Sequence, residues 1–197
     1  MFEIEIKVRV SDPDLIRRKL ENHHGSYKFF LTHKDIYYNM PKSLRDFKKT
    51  DEALRLRTSI RYDKKNKYNP QEIDYFLTYK GKKIDELTKS REEIEIKIED
   101  FEKMREILEL LGFQEVLTVM KERELYEFKL NDHKITVLLD YIPILKQHFI
   151  EAEYLTELNE DIAESRERLF SFLNLLGMNK KDSIRKSYLE LILENNK

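Results

Sequence analysis

The chain has 197 residues and 38% of them are charged, yet 37 Lys plus Arg against 38 Asp plus Glu leave a formal charge of -1. That balance excludes a global basic field for nucleic acid or anionic membrane, so any attraction for a polyanion must come from cations gathered locally. There is no cysteine, hence no disulfide or thiolate metal site, and no apolar run long enough to span a bilayer; one folded domain over 1–197 and a cytoplasmic location are the expectations.

Phe2 to Val10 alternate apolar and charged, which predicts a strand with Glu3, Glu5, Lys7 and Arg9 on one face and Phe2, Ile4, Ile6, Val8 and Val10 on the other. Asp12-Pro13-Asp14 is a helix start, with Asp12 as N-cap, Leu15, Ile16 and Leu20 as a short apolar stripe, and Gly25 past the end. Lys34 to Asn39 reads as a strand, Met40 to Asp51 as a polar loop, and Ala53 to Arg57 as a third strand. A Lys/Asn-rich hairpin loop, Arg61 to Gln71, precedes the strand Tyr75 to Lys80. Gly81 to Lys89 then leads to a second copy of Glu-Ile-Glu-Ile-Lys, identical to Glu3 to Lys7 and placed at Glu93 to Lys97. Here Arg91, Glu93, Glu95 and Lys97 share a face opposite Ile94, Ile96 and Ile98.

Asp100 caps a helix from Phe101 to Leu111 that Gly112 stops, and a strand begins at Val119. Ile135 to Tyr141 and Phe149 to Tyr154 are strands joined by a turn at Pro143, with His133 and His148 expected as solvent-facing turn residues. Leu158 to Leu176 and Ser183 to Glu194 are helices whose leucine-rich faces predict core packing. The strand-helix-strand order that follows Glu3 recurs after Glu93, which suggests two similar halves.

Nearly every strand carries charge at alternate positions, including Asp35 with Tyr37, Arg55 with Arg57, Thr78 with Lys80, Lys121 with Arg123, Asp140, and Glu151 with Glu153. A flat sheet would show these to water while helices cover its apolar face, and composition alone does not separate that arrangement from a closed barrel with the charge inside. The kinds of charge do. Alternating Arg pairs suit phosphate through their fixed fork of donors. Two Glu-x-Glu pairs near opposite ends of the chain place carboxylates on one face at a spacing that can close around a hard divalent cation. A charged interior demands ligands of opposite sign, and a polyphosphate with its metal ions is one.

These residues resemble the CYTH, or triphosphate tunnel metalloenzyme, superfamily. The likeness runs in order through Glu3-Ile4-Glu5-Ile6-Lys7, Asp35-Ile36-Tyr37-Tyr38, Leu54-Arg55-Leu56-Arg57, Leu77-Thr78-Tyr79-Lys80-Gly81, Ser90-Arg91-Glu92-Glu93-Ile94-Glu95, Lys121-Glu122-Arg123, Leu139-Asp140, Phe149-Ile150-Glu151-Ala152-Glu153 and Ser187-Tyr188. It departs at Lys146-Gln147-His148-Phe149, where relatives often carry Gly before the aromatic, and at Lys82, where they often carry Pro; both bear on loop geometry. The resemblance implies an α+β fold, an eight-stranded antiparallel β-barrel with helices packed outside. It further implies Mg²⁺ or Mn²⁺ held by Glu3, Glu5, Glu151 and Glu153, assisted by Asp140. Lys7, Arg55, Arg57, Lys80, Lys121 and Arg123 would cradle phosphates, with Glu3, Glu5 and Lys7 as catalytic residues and Arg91, Glu93 and Glu95 orienting the cations from the wall. The expected partner is a small-molecule triphosphate, ATP or tripolyphosphate, with no nucleic acid or membrane, and a homodimer is a further expectation. The nearest likeness is to the class IV adenylyl cyclase type, which makes cyclic AMP and pyrophosphate from ATP; a triphosphatase and a non-catalytic polyphosphate-binding module are the alternatives.

Overall fold

The computed structural model describes the whole chain except residues 1, 42–43, 64–68, 85–87, 89, 131–132, 157–161 and 196–197. The strands are β1 Phe2–Val10, β2 Ser26–Asn39, β3 Ala53–Tyr62, β4 Pro70–Lys80, β5 Arg91–Ile98, β6 Gln114–Leu130, β7 His133–Ile142 and β8 Gln147–Thr156. Helices α1 Pro13–Asn22, α2 Phe47–Thr50, α3 Phe101–Leu110, α4 Ile162–Leu175 and α5 Tyr188–Asn195 lie between and after them. All strand pairs are antiparallel and close into a barrel in the order β1-β5-β4-β3-β2-β6-β7-β8. Corresponding elements of the two halves are neighbours in this ring, β1 beside β5 and β2 beside β6.

The helices form where local chemistry starts them. Asp12 accepts from the Leu15 N–H (2.9 Å) and Asp100 from the Lys103 N–H (3.0 Å), each satisfying a donor that has no partner inside its helix. α1 and α4 bury Ile16, Leu20, Leu169, Phe170, Phe172 and Leu173 against the outward Ile4, Ile6, Val8, Ile150 and Ala152 of β1 and β8. α3 buries Leu108 with Ile36, Tyr38, Leu54, Leu56 and Ile98. α5 brings Tyr188, Leu191 and Ile192 onto Tyr37, Val119, Ile142 and Phe149, closing apolar packing around one part of the barrel.

Several expectations change. β2 and β6 extend well beyond Lys34 to Asn39 and the start at Val119, because their ladder runs from Ser26↔Glu127 to Asn39↔Gln114. β3 and β4 reach Tyr62 and Pro70, which cuts into the hairpin loop expected over Arg61 to Gln71, whose centre, 64–68, lies outside the described residues. The loop Met40 to Asp51 contains α2, capped by Asp46 and anchored by the buried Phe47. His148 is not a solvent-facing turn residue: it sits half-buried in β8 with its ring 4.7 Å from that of Tyr141. His133 opens β7, and its side chain lies outside the described residues. The helix expected from Leu158 is α4, with 157–161 outside the described residues, and the last helix begins at Tyr188 because Ser183 and Ile184 instead lie along β1. Ile94 and Ile96 are 55% and 52% exposed: α3 covers only the Ile98 end of β5 and leaves the rest of its outer face open. Among the described residues no helix is long and apolar enough to cross a membrane.

Candidate functional site

Period-two alternation turns the charged face of the strands inward, and the register then sets who meets whom. Pairing of β1 with β8 places Glu5 opposite Glu153 and Lys7 opposite Glu151. Pairing of β2 with β3 places Asp35 opposite Arg57, and that of β6 with β7 places Arg123 opposite Asp140. Between β4 and β5, Lys80 faces Glu93 and Thr78 faces Glu95. A cavity of about 630 Å³ runs through this interior, lined by Glu3, Glu5, Glu151 and Glu153 on one side and by Arg55, Arg57, Lys80, Lys121 and Arg123 around it.

The acidic pole centres on Glu5, Glu151 and Glu153, whose carboxylate oxygens lie within 4.8 Å of one another. Glu151 is also held by Arg123 at 2.6 Å and by Lys7 at 3.3 Å. Burial, reinforced by the neighbouring Glu3 and Glu5 carboxylates, pushes Glu153 well above the usual carboxylate range. Glu3 adjoins that triad without joining its 4.8 Å cluster, and lies 3.5 Å from Lys80. Burial pushes its carboxyl up to about 7, against the pull of Lys80 and with help from Glu93 and Glu5. Asp140 does not join the triad either. Arg123 donates to both its oxygens (2.7 and 2.6 Å) and the Tyr188 hydroxyl donates to Oδ2 (2.9 Å), so the carboxylate accepts from a guanidinium and a phenol.

The basic pole is a set of cations fixed by buried carboxylates. Arg57 forks onto Asp35 at 2.6 and 2.9 Å, and Lys121 lies 3.5 Å from the same carboxylate. Against a burial that would raise it, Arg57, Lys121 and Arg55 hold Asp35 well below its ordinary value. Arg55 donates to Thr78 (3.0 Å) and Glu95 (3.1 Å) and lies 3.5 Å from Glu93. Lys80 is ion-paired to Glu93. Arg91 instead donates to the Gly81 carbonyl (3.3 Å), pinning the exit of β4. Burial, with Arg123 close by, pushes the Lys121 ammonium down to about 7. Arg9, on the same face of β1, is exposed beyond the tunnel.

Sequence reasoning singled out Asp35 as a face residue without a role, and the register shows it as the anchor of Arg57 and Lys121. Tyr188, which lines the cavity, and His33, buried beside its cations, were missed. Tyr188 is carried by a helix, where no strand alternation could flag it. His33 is 4% exposed and its Nδ1 has no hydrogen-bond partner; burial and the nearby Arg57, Lys121 and Arg123 push it well below the ordinary imidazole value, so it is neutral. The alternation of β2 could have found it, two positions before Asp35 on the same face.

A family model described as the CYTH domain matches residues 1–188, and the chain belongs to that family. It is 39% identical over 194 residues to a Methanocaldococcus jannaschii protein named "putative adenylate cyclase", covering 97% of this chain and 98% of that one. The solved PH1819 protein of Pyrococcus horikoshii OT3 matches with a TM-score of 0.82 at 40% identity, over 98% of this chain and 99% of its own. A Hippeastrum protein, described as a "putative adenylyl cyclase" with a dominant triphosphatase activity, shares the fold at a TM-score of 0.65 and 16% identity, over 98% and 96% of the two chains.

Proposed function

We propose that the protein is a divalent-metal-dependent enzyme acting on a triphosphate, and specifically an adenylyl cyclase of the class IV type that converts ATP to cyclic AMP and pyrophosphate. The observation that carries this reading is one cavity holding a three-carboxylate cluster and a ring of Arg and Lys. Oxygen-only donors at this spacing fit Mg²⁺ or Mn²⁺ and not a thiolate- or imidazole-seeking metal. When bound, such an ion would neutralise Glu5, Glu151 and Glu153 and polarise phosphate oxygens beside them.

The chain's own residues do the rest. Lys7, Arg55, Arg57, Lys80, Lys121 and Arg123 hold the phosphates, and they do so pre-aimed, because Glu151 already fixes Lys7 and Asp35, Asp140, Glu93 and Glu95 fix the others. As the ribose 3′-hydroxyl attacks the α-phosphorus, the α–β phosphoanhydride bond breaks and the hydroxyl proton leaves with the pyrophosphate, whose developing charge these cations stabilise. The barrel wall keeps bulk water from competing with that hydroxyl. The same cavity is also lined by Asn39, Phe47 and Lys48, an amide, an aromatic ring and a cation of the kind that would receive a nucleoside. The similarity to a protein named as an adenylate cyclase supports the same reading.

A triphosphatase is the second reading, favoured by the dominant activity described for the Hippeastrum protein of the same fold. There, water attacks the terminal phosphorus in the same cavity, and the depth of the substrate selects the reaction. Phosphorus NMR of ATP and of tripolyphosphate with the protein and Mg²⁺ or Mn²⁺ tests both. Cyclic AMP and pyrophosphate from ATP are expected; orthophosphate from tripolyphosphate with ATP intact overturns the cyclase reading.

A further inference from the structure

The barrel has a weak seam. β1 pairs with β8 along its whole length but with β5 only at Phe2↔Glu92 and Glu3↔Arg91. Beyond those two pairs the edge of β1 is taken by the end of the chain. Ser183 bridges Val8, and the Ile184 N–H donates to the Lys7 carbonyl at 2.8 Å. On the other side of the seam, Arg185 donates to the Thr88 carbonyl (3.4 Å) in the connection leading to β5. The segment 183–188 therefore bridges β1 and the connection that leads into β5.

Its last residue enters the tunnel. Tyr188 is 5% exposed, its ring braced edge-on by Phe149 at 5.2 Å. The Lys7 ammonium, fully buried, lies 3.5 Å from the centre of that ring and donates to the Lys186 carbonyl at 3.1 Å. Lys121 lies 5.5 Å from the same ring. The Tyr188 hydroxyl donates to the Asp140 carboxylate that forks Arg123. Burial, with Asp140 and Glu151 close by, keeps the phenol well above its ordinary range and so protonated as a donor.

We propose that Tyr188 is a positioning residue of the phosphate site: its ring seats the Lys7 ammonium and its hydroxyl steadies Asp140 behind Arg123, making the C-terminal segment 183–188 a working part of the tunnel wall. This rests on the phosphate-binding role proposed above for Lys7 and Arg123. A lysine ammonium on a long, flexible stem loses rotamer freedom when it binds an anion, and a seat that holds it beforehand removes that cost. Out of water, a cation over an aromatic face is strong enough to set the ammonium's place.

The test is calorimetric binding of tripolyphosphate with Mg²⁺ to the full chain, alongside NMR of the Lys7 ε-methylene protons, which the Tyr188 ring should shift upfield. Tyr188→Leu is expected to weaken binding roughly tenfold and to abolish the shift. Tyr188→Phe keeps the ring, so it retains the shift and recovers most of the affinity. In a Lys7→Met background Tyr188→Leu is expected to add only the small loss that Tyr188→Phe causes through Asp140, since the cation the ring seats is gone. Undiminished binding by Tyr188→Leu, an equal loss with and without Lys7, or no ring-current shift in the wild type overturns the proposal. Wild-type protein that shows the shift but does not bind tripolyphosphate overturns the function proposed above instead.

Discussion

The two copies of Glu-Ile-Glu-Ile-Lys are adjacent strands of one barrel and yet live in different environments. In β1, Ile4 and Ile6 are fully buried under α4 and α1, Lys7 is fully buried, and Glu5 is 5% exposed beside Glu151 and Glu153. In β5, Ile94 and Ile96 face outward uncovered, Glu95 contacts Arg55 from the tunnel rim, and Lys97 pairs with Asp74 at the surface. Identical alternation thus gives identical faces but not identical burial. What separates the copies is the neighbour each receives: β8 brings a second Glu-x-Glu to β1, whereas β4 brings Thr78 and Lys80 to β5. The first copy holds an acidic pole, and the second holds cations in place.

Substitution at matched positions is the strongest way to break that comparison. Glu5→Ala removes one corner of the carboxylate cluster and should lower metal-dependent turnover by about a thousandfold or more, with circular dichroism unchanged. Glu95→Ala, at the equivalent place in the repeat, removes one partly exposed partner of Arg55 and should cost roughly fivefold. Equal losses in steady-state kinetics would erase the distinction between the two poles. On the outer faces, Ile6→Ala should destabilise the fold by about 2–5 kcal/mol in urea titration, because it leaves a cavity in a fully buried cluster. Ile96→Ala should stay within about 0.5 kcal/mol, and a large loss there would mean that another surface covers β5.

The smallest effect sharpens the basic side of the contrast. Lys121, pushed down to about 7 by burial with Arg123 adjacent, is about half charged near neutrality, and a bound phosphate favours its charged form. Triphosphate binding should therefore take up as much as one proton at pH 8, and affinity should fall as pH rises above 7. Calorimetry in two buffers of different ionisation enthalpy reads the uptake, and Lys121→Met should remove it. For stability the sign is opposite to that of a paired lysine. The unfolded side chain, near 10.5, binds more protons than the folded one, so this group's destabilisation shrinks as pH rises from about 7 toward 10.5.

Much of the barrel was legible because strands write their two faces into a period of two. Glu3 to Lys7, Arg55 with Arg57, Lys121 with Arg123, and Glu151 with Glu153 could be assigned to one face without knowing any neighbour. The N-caps Asp12 and Asp100 were legible for a similar reason, since a cap acts within four residues of chain. Illegible were the features that depend on partners far along the chain. The lengths of β2 and β6 come from their mutual ladder, and the separate places of Glu3 and Asp140 come from Lys80 and Arg123. The entry of Tyr188 into the tunnel follows from a terminal segment pairing with β1.

By itself, then, the sequence determined that the chain builds amphipathic strands with a charged face, because alternation is a local property of the backbone. Only the tertiary structure decided that β1 and β5 close the ring by two residue pairs, that three particular carboxylates converge, and that the cations are held by buried carboxylates, Asp35 serving both Arg57 and Lys121. Register and closure are collective: they depend on all eight strands at once, and a shift of one residue in any ladder would have turned the same charges out to water.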